Sequence, residues 1–322
     1  MDVRRFCTTT RVVIVAGKGG VGKTTVTAAL AVCAARAGLS VLIVEVEGKS
    51  GLAACFGSRD LGYAEIDLAP GIRARTLTPE AALADWLEGN GFGRVARRLG
   101  ASGVLDVVAS AVPGVQDILV LGKVRSLEQQ GAYDLIIVDA PAAGHAITFL
   151  TSPAGLAEVV AAGPVRAQAA EATAMLADPH RAQVLLVTAP EETPVNEAIE
   201  TAFALEDRVG VALAPIVVNG IYPPLGDPDD PDDPDDLVAI AADAAAADLP
   251  LTEAEVADLA AAVAFRRART EVQERQAAAL AAALPLPQLR LPFVFEAEIG
   301  RPQLEALADA LAAGIEIGRA HV

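Results

Sequence analysis

A mostly parallel β-sheet flanked by helices, an α/β fold with a helical insertion, is predicted by three features of the sequence. Short β-branched apolar runs recur along the chain, each closes on a glycine, a polar residue or a carboxylate, and Ala- and Leu-rich stretches with helical periodicity separate them. The first run, Arg11 to Ala16, opens directly onto glycines, as a buried strand feeding a tight turn would. A helix is predicted next, from about Lys23 to Ala37, with Gly38 as its C-terminal stop. Val41 to Glu45 repeats the buried-strand pattern and completes a strand, helix, strand unit. Leu135 to Asp139, Val184 to Thr188 and Pro215 to Asn219 are three further strands of the same kind. Strands that all finish in this way place a ligand at one edge of a parallel sheet.

Pro79 to Leu121 and Gly144 to Ala177 carry the 3.6-residue period and are read as helical. The whole chain, 1–322, is read as one domain with helical insertions at about 79–130 and 145–180. Most of the second covers the sheet, and part of it forms a separate helical layer. Residues 226–236 alternate aspartates with Pro228, Pro231 and Pro234, a repeat that buries nothing, and are predicted to be a mobile acidic surface loop without a calcium-loop spacing. Leu237 to Ala283 reads as helical, with Arg266, Arg267 and Arg269 grouped on one stretch; a solvated face is the favoured reading, and contact with phosphates or a partner is the alternative.

Composition narrows the function. Hydrophobic residues make up 53%, yet no uninterrupted apolar run is long enough to span a bilayer. Met1 to Arg11 lacks the apolar core and small-residue cleavage site of a secretory signal, so a cytoplasmic protein is expected. Cys7, Cys33 and Cys55 are widely spaced, which fits reduced structural thiols and neither a disulfide framework nor a zinc ribbon. The net charge is -17; seven of the 42 carboxylates sit in Asp227 to Asp236, and the remainder of the chain is still acidic. That field disfavours nucleic acid, and none is expected as a partner.

The chemistry concentrates after the first strand. Gly17, Lys18, Gly19, Gly20, Val21, Gly22, Lys23, Thr24 and Thr25 satisfy the G-x-x-x-x-G-K-[ST] pattern between a predicted strand and a predicted helix. The glycines let backbone N-H groups turn toward phosphates, and the helix start adds its partial positive charge. Lys23 is expected to neutralise the β- and γ-phosphates, and the Thr24 hydroxyl to bind Mg²⁺. Lys18 is a second lysine that the plain motif does not require; it is read as a charge donor acting like an arginine finger, across a dimer interface. Asp139 ends its strand as the carboxylate expected to serve the magnesium. The segment Asp139 to His145 then reads as a switch, with Gly144 giving it freedom to respond to a γ-phosphate. Whether His145 relays that change or merely starts a helix is left open by the residues. Glu45 and Glu47 lie two apart at a strand end. Glu47 is assigned to orient the attacking water, and Glu45 to the metal site, behind the direct ligands.

With these residues in place, the chain resembles the ArsA/Get-type branch of deviant Walker ATPases over nearly its whole length, and within it the actinobacterial anion-transporting ATPase-like proteins. The stretches Leu77 to Leu87, Pro113 to Gln116, Asp139 to His145 and Pro190 to Glu192 are similar to family landmarks in their usual order. The resemblance implies ATP and ADP as ligands, with Asn219 and the loop around Pro292 and Phe293 contacting adenine. It implies that Lys18 reaches a partner's nucleotide, in a homodimer or in a heterodimer with a paralogous ATPase subunit. A hydrophobic protein client or membrane partner is a further implication.

Several departures stand beside this. Glu47 to Ser50 occupies the place of the family's Asp-Pro-Ala-His switch; the zinc and metalloid cysteines of other branches are missing; and methionines are too few for a Met-rich client groove. The leading expectation is thus a Mg²⁺-dependent ATP hydrolase coupling hydrolysis to a dimer switch. A chaperone-like carrier of hydrophobic segments, a partitioning or positioning ATPase resembling the MinD and ParA groups, and an enzyme phosphorylating a small molecule are the alternatives. Against the partitioning role, Gln303 to Val322 lacks a lysine-rich amphipathic face.

Overall fold

A computed structural model describes residues 2–46, 51–58, 60–89, 91, 114–141, 143–159, 161, 163–223, 244–246, 249 and 251–317. The acidic repeat at 226–236, most of the stretch between the two helices of the first insertion, and Glu47 lie outside these residues.

In chain order the elements are α1 (Val3–Cys7), β1 (Val12–Ala16), α2 (Lys23–Arg36), β2 (Val41–Val46), α3 (Leu52–Cys55), β3 (Ile66–Ala69), β4 (Ile72–Leu77), α4 (Pro79–Gly89) and α5 (Val115–Gln130). There follow β5 (Leu135–Asp139), α6 (Ala143–Val159), α7 (Pro164–Ala177), β6 (Ala182–Thr188), α8 (Glu192–Val209), β7 (Ala212–Leu213), β8 (Ile216–Ile221), α9 (Glu253–Ala283), β9 (Gln288–Pro292) and α10 (Arg301–Ile317). The strands form one nine-stranded sheet in the order β3-β4-β2-β5-β1-β6-β8-β9, with β7 pairing to β6. Only the β3–β4 pair is antiparallel.

Alternate residues of each central strand enter different cores, and that is why the strands read as unbroken apolar runs. Val13, Val15, Ile43, Ile137 and Val187 pack on one face with α2 and with Leu304, Leu307 and Leu311 of α10. Ile14, Leu42, Val44, Val138 and Leu186 pack on the other with Val124 of α5, Phe149 of α6, Met175 of α7 and Leu205 of α8. Neither face of the sheet is left to water, as a parallel sheet requires.

The five predicted strands are all present to within two residues, and α2 ends one residue before Ala37, with Gly38 in the left-handed conformation (φ 79°). The stretch from Gly144 to Ala177 is two helices, because Gly163, at φ 112°, precedes a proline at the first position of α7. Within the predicted helix over 237–283, α9 begins only at Glu253. There Thr252 and Glu255 close a capping box, and the two preceding described residues are not helical. Strands β3, β4 and β9 were not anticipated. Each carries charged or polar residues, and at the β3–β4 edge Arg73 bonds Asp67 at 2.8 Å while Arg75 reaches Glu65 at 3.3 Å. Charged edge strands blunt unwanted pairing and do not show as apolar runs. Among the described residues no helix is long and apolar enough to cross a membrane.

Candidate nucleotide-binding site

Strand β1, at the centre of the sheet between β5 and β6, delivers the chain at Ala16 into the loop Gly17 to Gly22, and α2 starts at once at Lys23. Gly17, Gly20 and Gly22 have φ of 155°, 87° and 89°. Two of the three also have no room for a side chain. A Cβ on Gly17 would collide with the Val187 carbonyl oxygen of β6, and one on Gly22 with the Asn219 amide. At the N-cap of α2, Gly22 makes no side-chain cap bond, and the first turn holds no carboxylate. The helix start therefore keeps backbone donors for an anion.

Two predicted magnesium groups are in contact. The Thr24 hydroxyl donates to Asp139 Oδ2 at 2.8 Å, and Asp139 is buried at the end of β5. Glu45 of β2 lies in register with Asp139, is buried, and accepts a hydrogen bond from the Thr76 hydroxyl at 2.8 Å. Lys23 Nζ donates to the Lys18 carbonyl at 3.2 Å. Burial lowers the Lys23 pKa from its ordinary 10.5, and the opposing pull of the Asp139 charge is the smaller effect. Lys18 itself pairs with Glu197 of α8 at 2.6 Å, both side chains being about a third exposed (33% and 40%).

Lys18, Gly19, Gly20, Val21, Gly22 and Thr25 line a cavity of about 550 Å³ together with Asn219, Pro292 and Phe293. The loop and the two segments assigned to adenine thus meet in one space, although the loop and Asn219 are nearly 200 residues apart in sequence. Asn219 Nδ2 donates to the Val21 carbonyl at 2.9 Å, tying β8 to the loop. Phe293 packs edge-on against Tyr222 (centroids 5.0 Å) and against Phe295 (4.9 Å).

Several residues at the site were not found from the sequence. Tyr222 and Gln273 line the cavity, Glu197 pairs with Lys18 and Thr76 bonds Glu45; none belongs to a motif, and each reaches the site only through the fold. Arg266 and Arg269 of α9, for which a solvated face is the favoured reading from sequence, are engaged at the site. Arg269 pairs with Glu191 at 3.1 Å on the cavity rim, and Arg266 donates to the Pro223 carbonyl at 2.7 Å while lying over the rings of Tyr222 and Phe295. His145 is exposed near the start of α6. Among the described residues no group of three or more His, Cys, Asp or Glu side chains could hold a metal by itself.

A parallel sheet whose central strand runs through a glycine loop into an uncapped helix, with a Thr and an Asp joined beside it, defines the P-loop nucleoside-triphosphatase class. Comparison with known proteins narrows this. Residues 10–163 match the family described as anion-transporting ATPase. The chain is 33% identical over 228 residues to the ATPase BagA of Mycobacterium tuberculosis, an alignment covering 66% of each. It is 31% identical over 153 residues to the ATPase GET3 of Chaetomium globosum, covering 47% of this chain and 45% of that one. The chain spans just under two thirds of the length of the mycobacterial relative. It belongs to the ArsA/Get-type family of ATPases.

Proposed function

We propose that the cavity binds ATP and ADP with Mg²⁺, that the chain hydrolyses ATP, and that hydrolysis drives a conformational switch between two subunits. The carrying observation is that the loop residues Lys18 to Gly22 and Thr25 line one end of a single cavity whose other end is aromatic, while Lys23 and the Thr24–Asp139 pair stand at the start of the helix that leaves the same loop. Triphosphate fits the first end, and a base fits the second.

The donor set suits magnesium. A hydroxyl and a carboxylate are hard oxygen ligands, and a site with so few protein ligands relies on phosphate and water for the rest. Thr24 and Asp139 would hold the ion, which when bound neutralises charge on the phosphate oxygens. The chain's own part is positional. Loop amides and the α2 start orient the phosphates, Lys23 adds a positive charge to them, and Glu45, braced by Thr76, keeps a second carboxylate beside Asp139. Glu47 keeps the water-orienting role as part of this proposal.

Lys18 is the group we assign to the partner's nucleotide. Its pair with Glu197 is partly exposed, and such pairs are worth about 1 kcal/mol or less, so a phosphate can take the ammonium from it. The partner is a second copy or a paralogous subunit, and its client is a hydrophobic segment or a membrane protein, in keeping with the family.

Phosphate release and solution mass, measured together, test the reading. Lys23→Ala should lower turnover by about 10²-fold or more, the cost of removing one charge-stabilising donor. Lys18→Ala should retain nucleotide binding, lower turnover by about 10³-fold and leave ATP unable to shift the mass to that of a dimer. Normal turnover of Lys18→Ala would remove the action in trans.

A further inference from the structure

The purine end of the cavity contains a backbone irregularity with a dedicated support. β8 and β9 pair in parallel as far as Asn219 with Leu291, and the register then jumps to Ile221 with Pro292, leaving Gly220 as an extra residue at φ 85°. A bulge of this kind re-aims neighbouring side chains and leaves backbone groups without ladder partners. The usual remedy is missing here, because the facing strand ends in Pro292, which has no N-H to give.

Gln273 of α9 supplies both missing partners. Its Nε2 donates to the Gly220 carbonyl at 3.0 Å, and its Oε1 accepts from the Tyr222 N-H at 2.9 Å. The side chain is 3% exposed, and it is one of only three buried residues in the 31-residue helix. It clamps the two sides of the bulge like one more rung of the sheet. On either side of that clamp stand Asn219, tied to the loop through Val21, and Tyr222, packed on Phe293. A Cβ added at Gly220 would stand 3.7 Å from the Phe293 ring, so the bulge lies beside the aromatic wall.

We infer that Gln273 is a positioning residue for base selection: by fixing the Gly220 bulge it sets where Asn219, Tyr222 and Phe293 meet the purine, without touching the phosphates. The inference rests on the nucleotide reading above and deepens it. A clamp on the base end alone affects binding and base choice and leaves the hydrolytic step as it was.

Gln273→Met keeps the volume and removes both hydrogen bonds. We expect KM for ATP to rise about tenfold with kcat changed less than about twofold, and the preference for ATP over GTP to narrow by about threefold or more. Gln273→Glu, which keeps the acceptor for Tyr222, should shift both in the same direction, and it carries the test should the methionine variant fail to fold. Gln273→Asn, one methylene too short to span the bulge, should not restore the wild-type values.

Folded variants with wild-type KM and wild-type base preference would overturn the inference, as would a fall in kcat with KM unchanged. The natural chain is assayed alongside. If it binds neither ATP nor GTP in magnesium buffer, the nucleotide reading has failed, whereas selective binding by the natural chain with unaltered variants rejects Gln273 alone.

Discussion

Lys23 sits where two demands conflict: burial disfavours its charge, and the phosphate chemistry proposed for it requires that charge. A bound polyphosphate restores the charged form, so nucleotide binding and protonation of Lys23 are linked. The sign follows. Below its lowered pKa the ammonium is in place and affinity is full; as pH rises through that value affinity falls, at a lower pH than an ordinary lysine at 10.5 would give. Nucleotide affinity followed from roughly pH 7 to pH 10 should show this decline, and Lys23→Arg, which stays charged, should flatten it. At this scale the loop and Asp139 were legible in the sequence because each is contiguous with the end of an apolar run. Glu197 and Gln273 were not, since the partners of each lie far away in the chain: 179 residues separate Lys18 from Glu197. The favoured solvated reading of Arg266 and Arg269 missed their partners for a related reason, because spacing on a helix does not reveal that Glu191 and Pro223 are folded against it.

Among the elements, the central strands and α2 could be read because burial on both faces leaves a continuous apolar signature. The edge strands β3 and β9 could not, since solvent and ion pairs replace apolar neighbours there, and neither could β4, next to the edge, because the buried Arg75 and Thr76 interrupt its apolar run. Helix ends were legible only where a cap was sought: the Gly163–Pro164 break and the Thr252 box are both written in the sequence. The connection from β1 to α2 is the element on which the site depends, and its tightness is testable. Gly17→Ala combines a positive φ with a collision against the Val187 carbonyl and should destabilise the fold by about 1–3 kcal/mol. Gly155→Ala, within α6 and with no heavy atom near the added carbon, should instead be neutral or stabilise by up to about 1 kcal/mol. Denaturation midpoints compare the two. Equal effects would mean that the loop is looser than its contacts imply.

For the whole molecule, the sheet order gathers the ends of β1, β2, β5, β6, β8 and β9 at one edge, so that segments from the first and last thirds of the chain share one cavity. That convergence was foreseeable as a consequence of parallel strands ending alike, but the identity of every lining residue was not. The acidic charge and the open Lys18–Glu197 pair belong to this scale too, because they bear on what a second subunit meets. Beneath both lies the claim that this cavity is a magnesium-nucleotide site. Titration calorimetry of the purified chain with ATP and ADP, with and without Mg²⁺, tests it most directly. Saturable binding, tighter for ATP with magnesium present and lost in Lys23→Ala, is the expected result; a natural, folded chain with no heat of binding for either nucleotide would contradict it.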